Sequence, residues 1–205
     1  MLSRGSDKQE RPRPASPGRP RSDSVDRALA EAALEEFIAR GYHAMSIESI
    51  AARAGVSKVS LYRRWRSKLA IATEVLRFLS KTASAIEDHG SLEADIRGLL
   101  KESIGSRSAK SVATIVMRMM GEISVDPELL ALYRAHIIVP RLEQLRSLIE
   151  RARARKELRA NLSTDIACAM IAGPLFLCYL ALLAEVEMPD NLADQLTRSI
   201  LSGVT

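Results

Sequence analysis

Residues 46–76 read SIESIAARAGVSKVSLYRRWRSKLAIATEVL, and the order in which apolar, small and basic positions alternate along this stretch decides the fold. Ile47, Ile50, Ala51 and Ala54 recur at three-to-four spacing, the inward face of a short helix with Ser46 as its N-cap. Gly55 permits a tight turn, and Ser57 caps a second helix running to about Trp65. Val56, Leu61 and Trp65 lie on one side of that second helix, which leaves Lys58, Val59, Ser60, Arg63 and Arg64 facing outward. Two short helices joined by a glycine turn have the spacing of a helix-turn-helix, whose second helix offers its N-terminal residues to the major groove of DNA.

Residues 53–68 carry six basic side chains and no acid, a density that an ordinary solvated face does not explain. Lys58 and Arg63 can donate to guanine O6 and N7, Ser60 to a purine or a phosphate, and Val59 can pack on a thymine methyl. Tyr62 and Lys68 are placed for phosphates, Lys68 at a helix N-terminus where free amides already favour an anion. For Tyr62 the competing reading is an aromatic at the core edge. The wider charge distribution points the same way: residues 1–70 hold 14 Lys/Arg against 8 Asp/Glu, whereas residues 71–205 hold 16 against 17. A basic segment joined to a near-neutral one suggests that the first part meets a polyanion.

This run resembles the signature of the tetracycline-repressor (TetR) family: a small hydroxyl residue, an apolar pair, Ala, a Gly-Val-Ser turn, Leu-Tyr, an aromatic and a Lys-rich start to the fourth helix. The resemblance is strong over residues 24–78 and weaker beyond. It implies that Ser46 and its neighbour Ile47 contact phosphate. It further implies that Lys58, Val59, Ser60, Tyr62, Arg63 and Arg64, headed by Ser57, form the reading face, and that Lys68 holds DNA backbone. Trp65 departs from the family's usual Phe, although a larger ring fills the same core slot. The resemblance also implies a C-terminal domain that encloses a small apolar molecule and whose last two helices pair with a second subunit.

The rest of the chain also reads as helix, with no period-two alternation bounded by turn residues. Val25, Leu29, Ala32, Ala33, Phe37 and Ile38 define a first amphipathic helix closed by Gly41 as its left-handed cap. Ser67 caps a long fourth helix containing Ile71, Val75, Leu76 and Leu79, and further periodic segments span 92–106, 109–125, 128–156, 163–187 and 191–202. Pro140 and Pro174 fall inside these patterns and are expected to kink them. The expected architecture is therefore all-α in three parts: a disordered basic arm over 1–23, a helix-turn-helix domain over 24–70, and a ligand-binding and dimerisation domain over 71–205. The arm's Arg4, Lys8, Arg11, Arg13, Arg19 and Arg21 could lie along DNA, the alternative being a solubilising tail.

Within 163–187 the segment IACAMIAGPLFLCYLALL is apolar nearly all round, which a helix achieves only when other surfaces cover every side. A homodimer contact is expected, with a fully buried helix in a monomer as the alternative. Met117, Met120, Tyr133, Met170, Phe176 and Tyr179 are candidates for an effector pocket, because flexible Met clusters suit a small apolar molecule; core packing competes for each. Filling the pocket would shift the fourth helix and release a palindromic operator. Cys168 and Cys178 read as reduced core thiols, Asp88–His89 as a helix end, and Arg151, Arg153, Arg155 and Lys156 as complements to a helix C-terminus. His43, His89 and His136 are isolated, and no HExxH, GxSxG or P-loop pattern is present, so neither an enzyme nor a metal or cofactor site is expected. A ligand-independent DNA-binding protein remains the main rival, with a helical enzyme behind it. The N-terminus lacks the apolar core of a secretion signal and no apolar run reaches the roughly 20 residues of a membrane span, so a cytoplasmic protein is expected.

Overall fold

Helix boundaries in this chain are set by short hydroxyl and carboxylate side chains that satisfy first-turn amides. The computed structural model describes residues 23–82 and 85–205, so the expected basic arm lies, apart from Asp23, outside the described residues. Among those described there are ten α-helices, one π-helical turn and no strand. The hydroxyls of Ser46, Ser57 and Ser67 accept from the backbone N–H groups of Ser49, Ser60 and Ala70 at 3.0, 3.2 and 3.1 Å. They start α2 (Ile47–Arg53), α3 (Lys58–Arg64) and α4 (Lys68–Thr82) where the sequence places them. Ser91, Asp126 and Ser163 do the same for α5 (Leu92–Gly105), α7 (Pro127–Tyr133) and α9 (Thr164–Leu183).

The first helix, α1 (Asp23–Ala44), differs from expectation at its end. Gly41 adopts φ 80° and ψ 172°, a positive φ without the left-handed ψ, so the helix breaks there instead of capping. The Met45 amide then reaches back to the Gly41 carbonyl at 3.0 Å and the helical turn resumes. Gly55, at φ 67°, supplies the turn between α2 and α3, with the Gly55 and Val56 amides donating to Ala52 and Ala51.

Two apolar cores follow. The first is built from Leu29, Ala33 and Phe37 of α1, Ile50 of α2, Leu61 of α3 and Ile71, Val75 and Leu76 of α4, together with Trp65, which is buried as expected. Ile115 and Met119 of α6 (Ala109–Ile123) and Leu129 and Tyr133 of α7 complete it. The second joins Leu92, Ile96 and Leu100 of α5, Leu145, Leu148 and Ile149 of α8 (Val139–Ala154), Ile171 and Leu175 of α9, and Ile200 and Val204 of α10 (Leu192–Val204). The helices that carry the basic motif thus share their core with α6 and α7.

The proline at 140 is accommodated by a change of helix type. Pro140 has no N–H for the carbonyl four residues earlier, and the chain widens into a π-helical turn over Arg134–Ile138, closed by the Val139 amide on the Arg134 carbonyl. At Pro174, α9 continues on both sides.

The arginines near the end of α8 correct the sequence expectation. Arg151 and Arg155 turn to the segment between α4 and α5, where Asp88 lies 3.4 and 3.1 Å from them and buried Asp95 lies 3.7 and 3.2 Å away. Asp95 also accepts the His89 amide at 2.6 Å, so Asp88–His89 belongs to this ion-pair cluster rather than to a helix end. The physical reason is that a fully buried carboxylate needs cations and N–H donors around it. Arg153 donates to the Leu162 carbonyl at 3.0 Å and Arg151 to that of Glu87 at 3.5 Å, neither of them in α8, and Lys156 occupies a left-handed position at φ 61° just beyond α8.

Candidate nucleic-acid interface

Two layers of side chains fix α2 and α3 in front of α1. Ser49 donates to the Glu36 carboxylate at 2.7 Å, and Arg53 reaches Glu35 at 2.9 Å and Glu36 at 3.8 Å, tying α2 to α1 by buried and half-exposed charge. Leu61 and Trp65 pin the inner side of α3. The outer side then carries Lys58, Val59, Ser60, Tyr62, Arg63 and Arg64, all exposed. Val59 is 76% exposed and Tyr62 48%, two large apolar groups left in water among cations. Folding gains nothing from this arrangement, whereas a groove lined by thymine methyls and phosphates would cover both.

Several of these groups have partners that the sequence does not reveal. Lys58 Nζ lies 3.2 Å from Glu48 on α2, and the Glu48 carboxyl is held below its ordinary pKa by its own backbone N–H and then by Lys58. The Ser57 hydroxyl donates to the Ser60 hydroxyl at 3.0 Å. Lys68 is half-buried: its Nζ donates to the His43 carbonyl at 2.8 Å and sits 5.8 Å over the Tyr42 ring. Ile47 packs, partly buried, against the first core, so it borders the exposed face instead of forming it; Ser46 beside it is half-buried as a cap.

Of the six candidate pocket residues, Tyr133 and Tyr179 lie within electrostatic reach of one another, and the others are divided between the two cores and the surface. Tyr133 is buried in the first core with Met120 packed against that core, while Met170 packs against the second. Phe176 is 46% exposed, on the outer side of α9 with Leu177 and Leu180, and is removed from the pocket; an all-apolar helix leaves the side of a large residue undetermined until the helix is docked. Met117 and Tyr179 are half-buried. Clefts of about 210 Å³ beside Ile86, His89 and Glu102, and of about 490 Å³ beside Ile104, Met188 and Leu192, open elsewhere. Sequence reasoning missed Arg141, whose guanidinium burial pulls below its ordinary pKa against the opposing pull of Tyr179 and Glu102, and whose Nη1 donates to Gln144 at 2.9 Å. A lone Arg directly after Pro140 inside an apolar stretch was the available signal. Cys168 and Cys178 are buried free thiols whose pKa burial raises. Among the described residues, no group of three or more His, Cys, Asp or Glu could hold a metal ion.

Comparison with known proteins matches both halves of the chain. Residues 29–75 fit the model of bacterial regulatory proteins of the tetR family, and residues 86–200 fit the tetracyclin repressor-like C-terminal domain. The uncharacterized HTH-type transcriptional regulator YdeS of Bacillus subtilis is 29% identical over 190 residues, 91% of this chain and 93% of the relative. Salmonella enterica GusR superposes with a TM-score of 0.73 at 15% identity, over 89% of this chain and 96% of that one. The FadR regulator of Bacillus subtilis, solved in complex with stearoyl-CoA, gives a TM-score of 0.69 at 17% identity, covering 87% and 99%.

Proposed function

The chain belongs to the tetracycline-repressor family of non-enzymatic, DNA-binding transcription regulators, and from that premise we propose that it acts as a homodimeric repressor that a small amphipathic effector releases from a palindromic operator. The observation that carries the reading is the outer side of α3, where Val59 and Tyr62 stand exposed among Lys58, Arg63 and Arg64. Lys58 and Arg63 read guanine edges, Val59 a thymine methyl, and Tyr62, Ser60 and Lys68 phosphates. A repressor bound across its promoter excludes polymerase, and its cytoplasmic setting is that of its DNA.

Dimerisation is supported by α9. This helix is long and apolar enough to cross a membrane, yet Ile166, Ala169, Gly173, Phe176, Leu177, Leu180 and Ala184 form an exposed stripe with helical spacing beside a face already committed to the second core. A second subunit would cover the stripe and place two α3 helices about 34 to 36 Å apart on one DNA face.

For the effector, buried Tyr133 and half-buried Arg141, both close enough to Tyr179 for its charge to act on them, support a molecule with an apolar body and a polar or acidic end. The stearoyl-CoA held by the FadR neighbour is a ligand of that kind.

The test is selection of bound fragments from the source genome, followed by footprinting. The expected result is a protected inverted repeat whose affinity falls with a slope of about −5 to −7 in log affinity against log salt, from roughly 6 to 8 phosphate contacts. No enrichment at low salt, or equal loss of binding for K58A and for a substitution on the far side of the molecule, overturns it.

A further inference from the structure

We propose that Glu122 is the positioning residue that sets the DNA-reading helices at a fixed angle to the rest of the subunit, its carboxylate on α6 seated in the notch that Gly41 opens in α1. The break at Gly41 leaves the Tyr42 N–H without a helical acceptor, and Glu122 Oε1 accepts it at 3.0 Å. A Cβ at position 41 would stand 2.1 Å from that same oxygen, so any side chain there expels the carboxylate. Glu122 Oε2 lies 3.3 Å from His43 Nε2 and has no hydrogen bond of its own, in a side chain only 14% exposed. Glu122 therefore touches two consecutive residues of the break, from a helix that otherwise meets α1 through apolar contacts in the shared core.

The contact continues to the reading helix. The His43 carbonyl accepts Lys68 Nζ at the first turn of α4, and the Tyr42 ring packs edge-on against His43, 5.1 Å between centroids, and beneath Lys68. Only Trp65, Arg66 and Ser67 separate Lys68 from α3, and Trp65 is locked in the core. A movement of α6 is thus delivered through a charged hydrogen bond to the 41–43 backbone and from there to the start of α4. Apolar packing alone tolerates small rotations, whereas a carboxylate seated against a backbone N–H and a glycine Cα does not. In a dimer this angle decides whether both α3 helices meet their half-sites together.

The inference rests on the dimeric reading, and the experiment separates the two. Binding is measured on duplexes from the selected operator that carry both half-sites or only one. The wild type is expected to prefer the paired duplex strongly; if it does not, the dimeric reading fails. Given that preference, E122A is expected to reduce it at least about fivefold, to leave single-half-site affinity within about twofold, and to raise amide exchange at Tyr42–Ala44. E122Q, which keeps an acceptor for the Tyr42 N–H, recovers part of the preference. Should E122A fail to fold, E122Q carries the same comparison. Unchanged preference in folded variants overturns the proposal.

Discussion

Lys58 shows how far a single position can be read from sequence. Its outward direction follows from helical periodicity, and the structure leaves it on the exposed face; its ion pair with Glu48 does not follow, because it depends on how α2 crosses α3. Glu48 is the one acid on the exposed rim of α2 and stands beside the phosphate path proposed for the motif. Removing it frees the Lys58 ammonium and takes away a repulsion, so E48A is expected to bind any duplex about two- to fivefold more tightly. K58A, by contrast, should lose roughly 1 to 3 kcal/mol of discrimination at one base pair. Fluorescence anisotropy on matched and mismatched duplexes checks both: equal tightening of all sequences by E48A and selective loss by K58A is the expected pattern. A further position tests backbone conformation alone. Lys156 holds φ 61° after α8, with the Glu157 amide closing on the Ala152 carbonyl, a place that glycine fills without strain. K156G is expected to raise stability by about 0.5 to 1 kcal/mol, read as a higher denaturant midpoint with unchanged slope.

At the scale of elements, the starts of α2, α3 and α4 were legible because each depends on one Ser and the amide three residues on, whereas α6, α8 and α10 begin without a side-chain cap. Helix interiors were less so. The long apolar pattern through residues 127–154 contains a π-helical turn that periodicity cannot register, since widening by one residue per turn merely rotates the stripe. For α9, composition said that every side would be covered and could not say by what. The core takes Ala167, Cys168, Ile171 and Leu175, and the stripe from Ile166 to Ala184 is left over. A charge placed there should act on association and not on the subunit's own core. L177E is therefore expected to shift the protein from dimer to monomer in analytical ultracentrifugation while keeping its helical circular dichroism, because desolvating a carboxylate at an apolar contact costs several kcal/mol. L175E, on the opposite side, is expected to unfold the second core. Similar outcomes for the two would remove the distinction between a buried and a contact face.

The whole molecule is joined across the α4–α5 connection by charge, and this was the least legible part of the sequence. Arg151 and Arg155 lie more than 50 residues from Asp88 and Asp95, so no local spacing announces the cluster; the helix end beside them offered a simpler partner that proved wrong. The consequence is a pH-dependent link between the helix leaving the reading head and the second core. The Gly90 amide, followed by Arg151 and Arg155, holds the Asp88 carboxyl below its ordinary value of 3.8. A carboxyl depressed in the folded state contributes stability that is complete above the unfolded value and is lost as pH falls through the folded one. Wild type should therefore exceed D88N in unfolding midpoint by a constant margin from pH 7 down to about 5. That margin should shrink below pH 4, where the unfolded chain begins to take up a proton that the native Asp88 still refuses. High salt should reduce it at neutral pH too, since Asp88 is half-exposed and its pairs are screened. Because the same segment carries the backbone from α4 into α5, D88N should also raise amide exchange over residues 85–91 at pH 7. A pH-independent margin would mean that neither the Gly90 amide nor the arginines act on the charge of Asp88, and that the arginines are there for Asp95.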